Sequence, residues 1–289
     1  MNILVAIFCI ALFSLTVPFT RMAALETPAE AIIFFRLIGA SIVCLGYALY
    51  DGWIPPRQAW GGIIATALGS VLGFASLTAF AMKQVPSGHA AVGLAAMPMA
   101  TAVYSVLRDR INPGARFWLF ATVGTLLSFA FFFSMNVSHL LNGDVLLVMA
   151  VFAAALGYVE GGRMSRIYSG KRVMSWSILA TLPITIPTAI YYFLDAGIEF
   201  SELSGSVWFS FAYLALVSQS FGMFLWFKVL AQGPMEKIAL VQLLQPFLTL
   251  LASIIFLNES VLWSTWIIAV LVGLCIVGAN RERKKLVAA

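Results

Sequence analysis

Ten long apolar runs, separated only by short polar links, constrain this chain more than anything else in it. They fall at 3–20, 31–50, 60–82, 90–107, 117–135, 145–164, 173–194, 207–230, 238–257 and 263–279. A helix crossing the hydrocarbon core of a bilayer needs about 20 predominantly apolar residues, and each run meets that length or comes close. Backbone in lipid has no water to bond, which leaves helices and closed barrels as the only spanning structures. Barrel strands alternate apolar and polar positions, whereas these runs are continuous. The sequence therefore predicts an all-α integral membrane protein with ten transmembrane helices. Composition agrees: 10% of residues are charged and 62% are hydrophobic, against about 25% charged in a soluble domain, too little to coat a soluble core. The links Glu26-Thr-Pro28, Asp51 to Pro56, Pro86-Ser-Gly88, Asn112-Pro-Gly114, Asn142-Gly-Asp144 and Gly233-Pro234 are all too short to fold separately. Cys9, Cys44 and Cys275 all lie inside apolar runs, where they read as small buried hydrophobes rather than disulfide partners.

The placement of Lys and Arg predicts orientation. With the N-terminus inside, the inner links hold 14 of the 17 basic residues, among them Arg108, Arg110, Arg163, Arg166, Arg172 and the tail Arg281–Lys285, while Arg21, Arg36 and Lys83 fall outside. Both termini are thus expected in the cytoplasm, and anionic lipid accounts for the basic tail without a nucleic-acid partner. The first run has no basic segment before it and exceeds the core of a signal peptide, so it reads as a retained helix. The sequons at Asn136 and Asn258 fall on outer links too close to the membrane for glycosylation.

Sliding the chain against itself exposes a repeat. At an offset of 148 residues, Pro86 meets Pro234, Pro98 meets Pro246, Ser70 meets Ser218, Thr101 meets Thr249 and Trp118 meets Trp266. The halves are 1–140 and 141–289, each with five runs. Five is odd, so the second half enters from the opposite face, giving two inverted five-helix repeats. Such repeats are a physical route to alternating access around a midplane site, and they favour a transporter over a scaffold or an enzyme.

Ten spans in two five-helix halves resemble the drug/metabolite transporter superfamily, in particular its EamA family. The local agreements are Phe34-Phe-Arg36 early in the second run, Met97-Pro98 and Gln245-Pro246 in the fourth and ninth, and Leu257-Asn-Glu259-Ser ending the ninth. Leu107-Arg-Asp-Arg110, at the matching end of the fourth run, departs from the family pattern. Within the superfamily the chain looks most like the YddG-type amino-acid exporters. That resemblance implies export of aromatic and other neutral amino acids through a central cavity between the halves. A bacterial inner membrane is the expected location, no cofactor is expected, and ten spans can enclose the cavity within a monomer.

Several residues are placed to line such a cavity. Pro98 and Pro246 leave the carbonyls of Leu94 and Gln242 without their α-helical donors, which makes those carbonyls candidates for holding an ammonium group. Gln242, Gln245 and Thr249 share one helical face, as do Gln219, Gly222 and Trp226, although Trp226 also suits an interfacial belt. Thr16, Phe74, Thr78, Met97 and Tyr158 complete the expected substrate-binding set. Glu160, an acid inside the sixth run near Arg163 and Arg166, is a candidate for proton coupling or for an inner gate, and His89 is a second candidate at the other face. Arg36 is expected to pair with Glu30 or Glu26.

Other classes fit less well. A permease for a sugar nucleotide, sugar phosphate or cationic compound is the alternative, but phosphate would call for several basic residues facing the cavity. No Gly-rich Lys-Ser/Thr loop suggests an ATP-driven pump. His89 and His139 sit on different links without metal-ligand spacing, and no Gly-x-Ser-x-Gly elbow occurs, so neither a metal site nor an intramembrane enzyme is expected.

Overall fold

The structure, a computed structural model, describes residues 3–87, 90, 94–110, 113–134, 142–195, 203–257 and 264–280, and every regular element among them is helical. His89, His139, both sequons, Glu259 and the basic tail lie outside the described residues. Six helices are long and apolar enough to cross a membrane: Leu4–Glu26, Ala29–Asp51, Arg57–Met82, Gly143–Tyr168, Gly205–Ala231 and Met235–Phe256. Gly170–Leu179 and Leu182–Phe193 form a seventh crossing when taken together. Helices Met97–Asp109, Ala115–Ser134 and Ser264–Asn280 occupy the remaining apolar runs. This is a multi-pass membrane protein.

Burial is inverted relative to a soluble domain. Leu4, Leu49, Phe152, Leu119 and Ile267 are each more than half exposed, while Thr66, Thr101, Ser175, Gln219 and Gln242 are buried. Lipid accepts the first group; the second would be costly there and is kept inside the bundle. Helix Asn142–Tyr168 runs through the centre, packed against Trp60–Met82, Met97–Asp109, Gly170–Leu179 and Met223–Ala231. Small residues set how closely it packs. A Cβ added at Gly157 would lie 2.2 Å from the Ser70 amide nitrogen, and one at Gly69 would lie 2.7 Å from the Gly157 nitrogen. Two backbones touch there, as small residues allow between helices in lipid.

The seventh run is not one straight helix. It bends by 41° between Gly170–Leu179 and Leu182–Phe193. Pro183 and Pro187 each remove a backbone donor, and Thr181, Thr185 and Thr188 turn their hydroxyls back on carbonyls of the preceding turn, at 2.7, 2.9 and 2.8 Å.

Backbone irregularities recur about 148 residues apart. A widened π-helical segment, Ala67–Gly73, has its counterpart in Tyr213–Gly222, where the Ser220 hydroxyl reaches back five residues to the Ala215 carbonyl at 2.8 Å. Tight 3₁₀ turns at Leu94–Ala96 and Leu240–Leu244 precede the helices Met97–Asp109 and Gln245–Leu257. Pro98 and Pro246 are therefore the second residues of new α-helical segments, where a missing N–H costs nothing, rather than kinks within continuous ones. The Gln242 carbonyl is not freed: it accepts the Gln245 amide in the 3₁₀ pattern. The expectation that it would hold an ammonium group is corrected accordingly.

Two of the three basic residues assigned to the minority face tie helix ends. Lys83 donates to the carbonyls of Ala24 and Thr27 at 2.7 and 3.3 Å, while Arg21 donates to the Met82 carbonyl. Each cation thus caps the C-terminal end of the other's helix, where orphan carbonyls and the helix dipole favour positive charge. Lys83→Met is expected to lower the melting temperature of the detergent-solubilised protein by several degrees, equivalent to about 1–2 kcal/mol. An unchanged melting curve would show that water replaces these contacts at no cost.

Candidate functional site

At the centre of the bundle, helices Thr16–Glu26, Ala29–Asp51, Phe74–Met82 and Asn142–Tyr168 meet the two π segments and Gln245–Leu257. They enclose a cavity of about 20 Å³ lined by Phe13, Thr16, Val17, Arg36, Ser70, Phe74, Tyr158, Ser218, Met223 and Gln245. A neighbouring space of about 10 Å³ shares Val17 and Gln245 and adds Leu94, Pro246 and Thr249. The first holds roughly one water molecule. The polar walls are therefore closed on one another.

Arg36 is the centre of this cluster. It is 4% exposed, and its Nε donates to Gln219 Oε1 at 2.8 Å across 183 residues of sequence. Its NH1 has no partner, and neither has Gln219 Nε2. Phe74 lies beneath the guanidinium, 5.9 Å from ring centroid to Cζ. The expected pairing with Glu30 or Glu26 is not made: Glu26 instead accepts from the Ser204 amide and hydroxyl at 3.2 and 2.7 Å, and Glu30 lines a separate space with Thr185 and Tyr192. A lone guanidinium held in the bundle interior is costly, so its retention there points to a use.

Around it the predicted residues divide. Thr16 Oγ1 and Ser218 Oγ share a hydrogen bond of 2.8 Å across the cavity. Tyr158 lines the same cavity as Arg36. Gln242 Nε2 meets the Met97 sulfur at 3.9 Å, leaving its Oε1 unpartnered. Trp226 is wholly buried, edge-on to Phe13 at 6.1 Å and to Tyr158 at 6.0 Å, with its indole N–H unpartnered. It is no interfacial belt residue. Gln245 and Phe74 line the cavity, and Pro98 stands one position beyond Met97. Thr78 is spent locally, donating to the Phe74 and Ala75 carbonyls at 2.6 and 3.2 Å, and it does not join the cluster. Reasoning from sequence missed Ser70, Ser218 and Arg36. The first two carried a signal, since they coincide at the 148-residue offset.

Glu160 belongs to a second cluster at the end of helix Met97–Asp109. Its carboxylate accepts from Arg108 Nε at 2.6 Å, Tyr104 at 3.3 Å and Arg163 at 3.4 Å. Arg163 and Arg166 in turn meet Asp109 at 3.0 and 3.8 Å, and Arg166 donates to the Gly233 carbonyl at 2.8 Å. Arg108 and Asp109 thus supply two of the five charges joining Met97–Asp109 to Asn142–Tyr168.

A larger crevice of about 690 Å³ opens between Met97–Asp109, Ala115–Ser134 and Asn142–Tyr168. Its walls include Leu107, Val148 and Phe152, which also face outward. It belongs to the lipid-facing surface rather than to the polar cluster.

The chain is similar to known proteins in sequence and fold. A family model described as the EamA-like transporter family matches residues 1–135 and 141–281. A curated relative from Bacillus subtilis (strain 168), described as the uncharacterized transporter YdeK, is 31% identical over 276 residues and covers 95% of each chain. A solved crystal structure superposes with a TM-score of 0.76 over 96% of this chain and 97% of its own, at 15% identity, a likeness of fold alone.

Proposed function

This chain belongs to the EamA-like transporter family, and we propose that within it the protein is a secondary exporter of neutral amino acids, working by alternating access. The observation that carries this reading is the enclosed polar cluster around Arg36 inside a bundle whose exterior is apolar. A structural protein has no need of a buried cation with a free donor; a carrier of small polar solutes does. Ten spans in two inverted repeats form the architecture of this reading. The recurrence of π and 3₁₀ segments at one offset supports it. So do the two equivalent links: that at Pro86 follows Lys83, which binds the Glu26 end of the first span, while that at Pro234 adjoins Gly233, bonded to Arg166.

In this scheme Phe74, Tyr158, Trp226, Met97 and Gln245 wall the substrate, and Thr16 and Ser218 part to admit it. Glu160, with Arg108 and Arg163, closes the cytoplasmic end. The setting is a bacterial inner membrane with both termini inside, the orientation that the 14-to-3 distribution of basic residues favours.

The test is uptake into proteoliposomes of labelled threonine, methionine, phenylalanine, lysine and glutamate, with and without a pH gradient, beside protein-free vesicles. Saturable uptake of the neutral members is expected. Folded protein that moves none of the five overturns the amino-acid assignment.

A further inference from the structure

The donors of the central cluster are unevenly satisfied, and that imbalance has a chemical meaning. Arg36 is buried with NH1 free, and its neighbour Gln219, with no exposed surface, turns its carbonyl oxygen to Nε and leaves Nε2 free. Two N–H donors of one small region therefore lack an acceptor where an unmade bond to a buried polar group costs about 1–3 kcal/mol and more for a charged one. None of the ten cavity-lining residues is acidic. The nearest acid along the chain from Tyr158, Glu160, is held by Arg108, Arg163 and Tyr104. Among the described residues, the cavity thus carries one positive charge with no counter-ion from the protein. The bundle interior also holds an acceptor without a donor, Gln242 Oε1.

We infer that Arg36 and Gln219 form the receptor for a single carboxylate, so that the solutes bound here are monocarboxylates, with Gln242 receiving a neighbouring ammonium or hydroxyl group when one is present. A guanidinium fits a carboxylate through parallel N–H donors. One cation balances one negative charge, which disfavours phosphate esters carrying two. Cationic compounds lacking an acid meet Arg36 as a like charge and are excluded. This rests on the transporter reading and narrows its substrate class, while being independent of whether that class is amino acids.

The test uses purified full-length protein in detergent, with unfolding followed by a thiol-reactive dye that reports exposure of the buried Cys9, Cys44 and Cys275. The probes are L-leucine, 4-methylpentanoate, leucinol, inorganic phosphate and chloride. Leucine or 4-methylpentanoate is expected to raise the melting temperature in a saturable way; leucinol, phosphate and chloride are not. Arg36→Gln should weaken carboxylate binding at least tenfold. Gln219→Glu offers a control that does not depend on removing the cation. It places a carboxylate of the protein beside Arg36, so the melting temperature should rise and added carboxylates should lose at least tenfold in affinity. Stabilisation by 4-methylpentanoate but not by leucine, lost in both variants, would uphold the carboxylate receptor and sink the amino-acid reading. Leucinol binding as well as leucine, wild-type affinity in Gln219→Glu, or no response to either carboxylate would overturn the inference.

Discussion

Gly157→Leu is expected to eliminate the folded protein, because a Cβ added here would meet neighbouring backbone more closely than at any other described glycine. A Cβ at this position would lie 2.2 Å from the Ser70 nitrogen, 2.5 Å from the Ser70 Cβ and 2.6 Å from its hydroxyl. The nearest atom is backbone, which cannot swing aside. Across the same contact, a Cβ added at Gly69 would lie 2.6 Å from the Ala153 carbonyl oxygen. Relief requires the central helix and the π segment to separate, and overpacking of this kind exceeds the usual range of about 1–3 kcal/mol when no side chain can yield. Separation also moves Ser70, a wall of the cavity. The measurement is the monodisperse fraction after solubilisation, with Gly157→Ala as the intermediate case and Gly61→Leu, which meets open space, as the control. A wild-type elution profile and melting curve for Gly157→Leu would show that these backbones do not touch.

The second large effect concerns Glu160. One carboxylate here serves three donors from two helices, and its side chain is 9% exposed against 46% for Arg108. Removing one member of a fully buried pair costs about 3–5 kcal/mol. Because Arg108 reaches solvent, the cost here shrinks to on the order of 1–2 kcal/mol. That still moves a two-state equilibrium by roughly 5- to 30-fold. Glu160→Ala should therefore open the end of the bundle that it closes. In a background with the three native cysteines replaced by alanine, a cysteine substituted for the wholly buried Thr101 should react with a maleimide about tenfold faster. Arg108→Gln should act in the same direction, and Arg166→Gln less, since its contact with Asp109 is longer at 3.8 Å. Labelling rates within twofold of the parent would make the cluster a static tie.

What the residues alone make legible follows from the solvent. Lipid imposes length and apolarity on every spanning segment, so the helical runs stand out in the bare sequence. The 148-residue offset stands out as well, because prolines are scarce enough for two pairs in one register to be noticed. The site is only half legible. Gln242, Gln245, Tyr158 and Trp226 declare themselves as polar or amphipathic groups where lipid does not tolerate them. Arg36 does not, because its position near a helix start suggests a partner in the adjacent link. Its actual partner, Gln219, comes from the other half of the chain, and no local pattern encodes that meeting. Thr78 misleads for a complementary reason: a threonine within a helix can satisfy its hydroxyl on its own preceding turn, so face alone does not make it a wall. The bend near Thr181 has a visible cause in Pro183 and Pro187. The π segments have none, since widening a turn leaves composition unchanged.

Those widened segments bear on how the cavity changes its lining. A turn bonded from i to i+5 stores one residue more than an α-turn, and each α-helical residue subtends about 100°. Ser70 sits in one such store, and Ser218 and Gln219 sit in the other. Rewinding either to the ordinary register rotates its side chains by about one position, enough to carry Gln219 away from Arg36 and Ser218 away from Thr16. Such a swing would act as a rotary latch at the depth of the polar cluster, with its slack already wound into both π segments. Each amide passes from one carbonyl to the next, so no backbone group is left bare in the hydrocarbon.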